Sequence, residues 1–98
     1  MANITQREVF IMEYRRFGNT IYLRLDPKEE ILEEIGKVAK KENIRLAQVT
    51  GLGAINDFTA GVYNTGTKEY HSIQFQGAFE IVSLTGTVTR KDGDVYLH

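Results

Sequence analysis

Asp26-Pro27-Lys28-Glu29-Glu30-Ile31-Leu32-Glu33-Glu34-Ile35-Gly36-Lys37-Val38-Ala39-Lys40-Lys41 is the stretch with clear helical periodicity. Its apolar residues, Ile31, Leu32, Ile35, Val38 and Ala39, have the spacing of one buried stripe. Asp26 is placed to cap the helix, Pro27 suits its first turn, and Glu29 lies three residues after the cap. Glu29, Glu30, Glu33 and Glu34 load the N-terminal half, and Lys37, Lys40 and Lys41 the C-terminal half, which complements the helix dipole. Asn43 supplies a left-handed stop. One main helix is therefore expected over about 26–42. Its carboxylates are explained by the dipole and by i,i+4 pairing with lysine, without acid–base chemistry.

Outward from this helix the chain reads as strands. Glu8–Tyr14 and Thr20–Leu25 flank Gly18-Asn19 and predict a hairpin. Arg45–Thr50 is a short strand. The pair of glycines in Gly51-Leu52-Gly53-Ala54 predicts a tight turn before Asp57–Tyr63. Asn64-Thr65-Gly66-Thr67 marks a turn into Tyr70–Phe75. Ala78–Thr89 is long and β-branched, and Asp92-Gly93 turns it into a return strand, Val95–His98. Mostly short connections predict an α+β fold, a mainly antiparallel sheet packed against the one helix. The return strand is short for so long a partner. That predicts either a longer parent protein or an open edge covered by another subunit.

The chain has 98 residues, enough for a single domain and too few for two. A domain of this size buries a modest share of its surface, so self-association would help it. Hydrophobic residues make up 42% and charged residues 26%, as in ordinary globular proteins. Net charge is -1, and the basic pairs Arg15-Arg16, Lys40-Lys41 and Arg90-Lys91 lie apart, without the basic excess of a duplex binder. The absence of cysteine excludes disulfides, thiolate metal sites and a cysteine nucleophile. Residues 1–7 are polar and no apolar run approaches the ~20 residues of a membrane helix, so a cytoplasmic protein is expected.

No catalytic constellation is found. Ser72 and Ser83 lie in no nucleophile elbow, and Gly51-x-Gly53 lacks the third glycine and following helix of a dinucleotide loop. The glycines fit a turn, or a pocket shaped by one. His71 and His98 are the only histidines and have no spaced carboxylate or cysteine partner. The five tyrosines and five phenylalanines lack the basic companions of a stacking platform, and Tyr63, Phe75 and Phe79 suit a core or an interface.

Several motifs in order resemble a known family. They are Ala47-Gln48-Val49-Thr50-Gly51-Leu52-Gly53-Ala54-Ile55, the hairpin from Tyr63 to His71, Gly77-Ala78-Phe79-Glu80-Ile81-Val82-Ser83-Leu84-Thr85-Gly86, and Asp92-Gly93-Asp94-Val95-Tyr96-Leu97-His98. Together they are similar to the plants-and-prokaryotes conserved (PPC) domain from the helix to residue 98. The resemblance implies an antiparallel sheet on a helix, a homotrimer, and contacts with protein partners. The plant partner motif, Gly-Arg-Phe-Glu-Ile, falls on Gly77, Ala78, Phe79, Glu80 and Ile81, with Ala78 in the arginine's place. Gly77, Phe79, Glu80 and Ile81 are thus the expected subunit or partner interface. The DNA-entering AT-hook of plant members is missing from this sequence. Some prokaryotic members carry a His-x-His near this point, and the domain usually runs on for several strands. His98 would then be one ligand of a metal such as zinc, completed by residues outside this chain.

The leading expectation is a non-catalytic assembly module that forms a trimer. The alternatives are a DNA binder using a basic face assembled from Arg15, Arg16, Arg90 or Lys91, and a metal-binding protein or metal-dependent enzyme using His98.

Overall fold

The structure is a computed structural model and describes residues 13–98. In chain order the elements are β1 (Glu13–Phe17), β2 (Thr20–Arg24), α1 (Ile31–Lys41), β3 (Ala47–Ile55), β4 (Phe58–Asn64), β5 (Glu69–Phe75), β6 (Phe79–Lys91) and β7 (Asp94–Leu97). They form sheets of order β1-β2, β3-β6-β7 and β4-β5. The paired strands β1–β2, β4–β5 and β6–β7 are antiparallel. The α+β class expected from the sequence is observed, with one helix among the described residues. The described residues fall into two compact groups, one comprising residues 48–86 and the other residues 13–47 with 87–98.

The helix differs from its predicted bounds at the start. It begins at Ile31 with Glu30 as N-cap, whose carboxylate accepts from the Glu33 amide at 2.8 Å. Asp26 and Glu29 do make the reciprocal bond of a cap, Asp26 N to Glu29 Oε1, but four residues early. Lys28 between them has a φ of 75°, in the left-handed region, and no right-handed helix passes through it. The C-terminus is as predicted. Asn43 takes a φ of 52°. Its amide donates to Lys40 O, and the next amide, that of Ile44, to Ala39 O at 2.8 Å. These are the two bonds of a Schellman motif.

Val38, Ala39 and Val88 are buried and form the core of the first group, where α1 packs against β7. Ile31 and Ile35 are half-buried, but Leu32 of the predicted stripe points to solvent. Glu34 is buried instead, with Lys37 Nζ donating to it at 3.0 Å. Arg90 Nε reaches back to Ile44 O at 3.1 Å.

β1 and β2 pair from Glu13↔Arg24 to Phe17↔Thr20, turning at Gly18, whose φ is 59°. Alternation puts Tyr14, Arg16, Ile21 and Leu23 on one face. From it the Tyr14 hydroxyl and the Arg16 guanidinium both donate to Glu42, at 3.0 and 3.1 Å. The predicted first strand also includes Glu8 to Met12, which lie outside the described residues. At the other end, Asp92 and Gly93 take positive φ, as a two-residue type I′ turn requires. Thr87 and His98 exchange backbone bonds beyond the last strand pair.

Candidate subunit and partner interface

The β4–β5 hairpin is built by its turn. Asn64 Oδ1 accepts from the Gly66 and Thr67 amides at 2.9 and 3.1 Å, and Lys68 N closes onto Asn64 O. That fixes the register from Asn64↔Glu69 to Phe58↔Phe75. One face of the ribbon then carries Phe58, Ala60 and Val62 opposite Phe75, Ile73 and His71. The other carries Thr59, Gly61 and Tyr63 opposite Gln74, Ser72 and Tyr70. Gly61 is needed there. A methyl at this position would come within 2.5 Å of the Tyr70 ring and 2.6 Å of His71 O.

The first face is apolar yet uncovered. Val62 and Ile73 are 67% and 64% exposed. At its base three rings meet. Phe58 stacks on Phe75 with centroids 5.1 Å apart, and Phe79 meets both edge-on. Residues 48–86 include no buried side chain. Both strands of the two-stranded sheet also leave an outer edge unpaired among the described residues.

Of the four predicted interface residues, Phe79 and Gly77 lie at this cluster, and Glu80 and Ile81 follow on β6. Phe79 is one of the three rings. Gly77, at φ 133°, donates its amide to Asp57 Oδ1 at 3.2 Å and so sets the approach to β6. Glu80 is exposed and Ile81 half-buried on that strand. Asp57, Val62 and Ile73 are additions. The alternation of β4 and β5 carries the signal for Val62 and Ile73, once the turn at Asn64 is used to fix register.

Gly51 and Gly53 do not form the predicted tight turn. Both lie inside β3, which stays extended to Ile55. Gly53 has a φ of 146°, a conformation only glycine tolerates, whereas a methyl at Gly51 would meet Leu84 Cδ2 at an ordinary 3.7 Å. Gly53 therefore serves strand geometry.

The basic residues are spread and mostly engaged. Arg16 is held by Glu42, Arg90 by backbone oxygens of Ile44 and Gly93, and Lys91 Nζ sits 5.4 Å from the Tyr96 ring centre. His98 is exposed and bonded through its backbone to Thr87, and His71 lies 3.7 Å from Glu69. Among the described residues no group of three His, Cys, Asp or Glu side chains is placed to hold a metal ion. A zinc site at His98 is thus not assembled by these residues. Among the described residues no helix is long and apolar enough to cross a membrane.

The sequence matches the Plants and Prokaryotes Conserved (PCC) domain, also abbreviated PPC, over residues 12–98. The chain belongs to this family. The match reaches back across the β1–β2 hairpin, beyond the motifs that begin at the helix. Two crystal structures share its fold. One is a candidate DNA-binding protein of Bacteroides thetaiotaomicron, 30% identical, with a TM-score of 0.84 over 90% of this chain and 62% of that one. The other is a PPC protein of Pyrococcus horikoshii, 32% identical, with a TM-score of 0.74 over 90% of this chain and 59% of that one. The PPC chain described here thus spans about three-fifths of the length of each. No curated protein matches it.

Proposed function

We propose that this PPC chain is a non-catalytic assembly module that associates with copies of itself, as a trimer, and offers a composite surface to protein partners. The observation that carries the reading is the uncovered apolar face of the β4–β5 hairpin. A two-stranded ribbon is marginal in water unless its apolar face is packed on something. Burying Val62 and Ile73 against a neighbouring copy would contribute about 1–2 kcal/mol each. Phe79 joins this face through Phe58 and Phe75, and alternation puts Ile81 on the same side of β6 as Phe79 and Glu80 on the other.

Native mass spectrometry tests this directly. The expected result is a trimer at micromolar concentration, shifted to monomer by Ile73→Asp with the circular dichroism spectrum unchanged. A wild-type monomer, or a trimer indifferent to Ile73→Asp, overturns it.

A DNA-associated role is the second reading. The resemblance to the Bacteroides protein favours it. Within the chain its support is Arg15, since Arg16 and Arg90 are already engaged. No mobility shift of a duplex at low salt would end that reading.

A further inference from the structure

The outward face of the β1–β2 ribbon enters the readings above only through Arg15. Alternation and register put Glu13, Arg15 and Phe17 on it, opposite Arg24, Tyr22 and Thr20. These side chains surround an open depression of about 360 Å³, lined by Glu13, Arg15, Phe17, Tyr22 and Arg24 together with Tyr14 and Leu23. That volume lies within the range of small-molecule sites.

Two features give the depression a chemistry. Phe17 and Tyr22 are diagonal neighbours across the strands, with centroids 5.9 Å apart and planes at 72°. They are 58% and 68% exposed, so their ring faces form an open aromatic corner. The two arginines on this face differ. Arg24 donates to Glu13 at 3.0 Å and lies 3.6 Å from Asp26, so its charge is more than offset by two carboxylates and it is not available to an anion. Arg15 makes no ion pair among the described residues and stands directly across from Tyr22. An aromatic corner beside a free guanidinium fits a flat ring joined to an anionic group.

We propose that this depression binds one nucleotide unit. The base stacks in the Phe17–Tyr22 corner, and the phosphate accepts hydrogen bonds from Arg15. A free mononucleotide and one residue of a single strand offer the same chemistry. The site does not rest on the assembly reading, because none of its residues belongs to the β4–β5 face.

Adenosine monophosphate and a fluorescein-labelled ten-nucleotide deoxyadenosine strand are titrated separately into the full chain, by calorimetry and by anisotropy, at low salt. Oligomer mass is recorded alongside. Saturable binding is expected for at least one ligand. Arg15→Gln and Phe17→Ala should each weaken it about tenfold. Tight binding of the strand with no response to the monophosphate assigns the site to single strands, and binding of the monophosphate assigns it to free nucleotides. Both side chains are exposed, so the variants should melt with the wild type, and a melt confirms it. Silence of both ligands to millimolar concentration, or binding indifferent to both substitutions, overturns the proposal. Oligomer mass reports on the assembly reading separately.

Discussion

The two compact groups of this chain handle apolar surface in opposite ways. In the first, α1 and β7 enclose Val38, Ala39 and Val88, and even Glu34 is drawn in beneath its lysine. In the second, from residue 48 to 86, no side chain is buried, and Val62, Ile73, Leu52 and Val82 all face outward. Both segments are rich in β-branched and aromatic residues, but the second has far fewer charged ones, only Asp57, Lys68, Glu69 and Glu80. Geometry adds to that difference. A helix laid against a strand closes a small core within one chain, whereas a two-stranded ribbon presents its apolar face with nothing of its own to put there.

The largest expected effect comes from crossing this division. Val88→Ala should lower stability by about 2–3 kcal/mol, from lost transfer energy and the cavity left behind. Its loss in urea denaturation should be the same at every protein concentration. Ile73→Ala should behave differently. Its loss should shrink as the protein is diluted, because the contacts it removes are made with other copies. A loss for Ile73→Ala that ignores concentration would show that the hairpin face is covered within one chain, and the comparison would fail.

A smaller effect is expected inside the second group. Gly61→Ala puts a methyl against the Tyr70 ring and the His71 carbonyl. The ring can swing aside but the backbone cannot, so the β4–β5 register must give, at about 1–3 kcal/mol. Amide exchange should rise along β4 and β5 and stay unchanged along α1. Equal exchange in both would mean that the groups unfold as one.

Much of this was legible from residue order, and the reasons for the rest are local. The strands and the helix C-terminus follow from turn chemistry. Asn43, Asn64 and Asp92-Gly93 each sit where a left-handed residue or a side-chain bond to backbone is wanted. The helix start was misplaced because Asp26, Pro27 and Glu29 satisfy every cap rule while Lys28 takes a conformation that no propensity scale encodes. Gly51 and Gly53 look like a turn because glycine serves both for reversing the chain and for a positive φ inside a strand, as at Gly53, and sequence does not distinguish the two. Phe79 and its neighbours are legible only through motif resemblance. The full apolar face needed the register of β4 on β5, and the Phe17–Tyr22 corner needed that of β1 on β2.

The smallest effect concerns the first group and pH. Hydrogen bonds from Arg16 and then Tyr14 hold the Glu42 carboxyl below the usual glutamate range, and the nearby charges of Arg16 and Lys41 act the same way. A folded-state pKa below the unfolded one means that the carboxylate form stabilises the fold. That contribution is complete above the unfolded pKa, about 4.3, and is lost as pH falls through the folded value. Tyr14 fits the same arrangement. Burial, and then its bond and proximity to Glu42, push its hydroxyl above the ordinary tyrosine value, so it remains a donor wherever Glu42 is an acceptor. Glu42→Gln keeps the shape and removes the titration. The variant should therefore be slightly less stable than wild type at pH 7, and the gap should close as the pH is taken below 4. A gap that persists in acid would place the role of Glu42 in packing at the helix end, and the bonds from β1 would then matter for position alone.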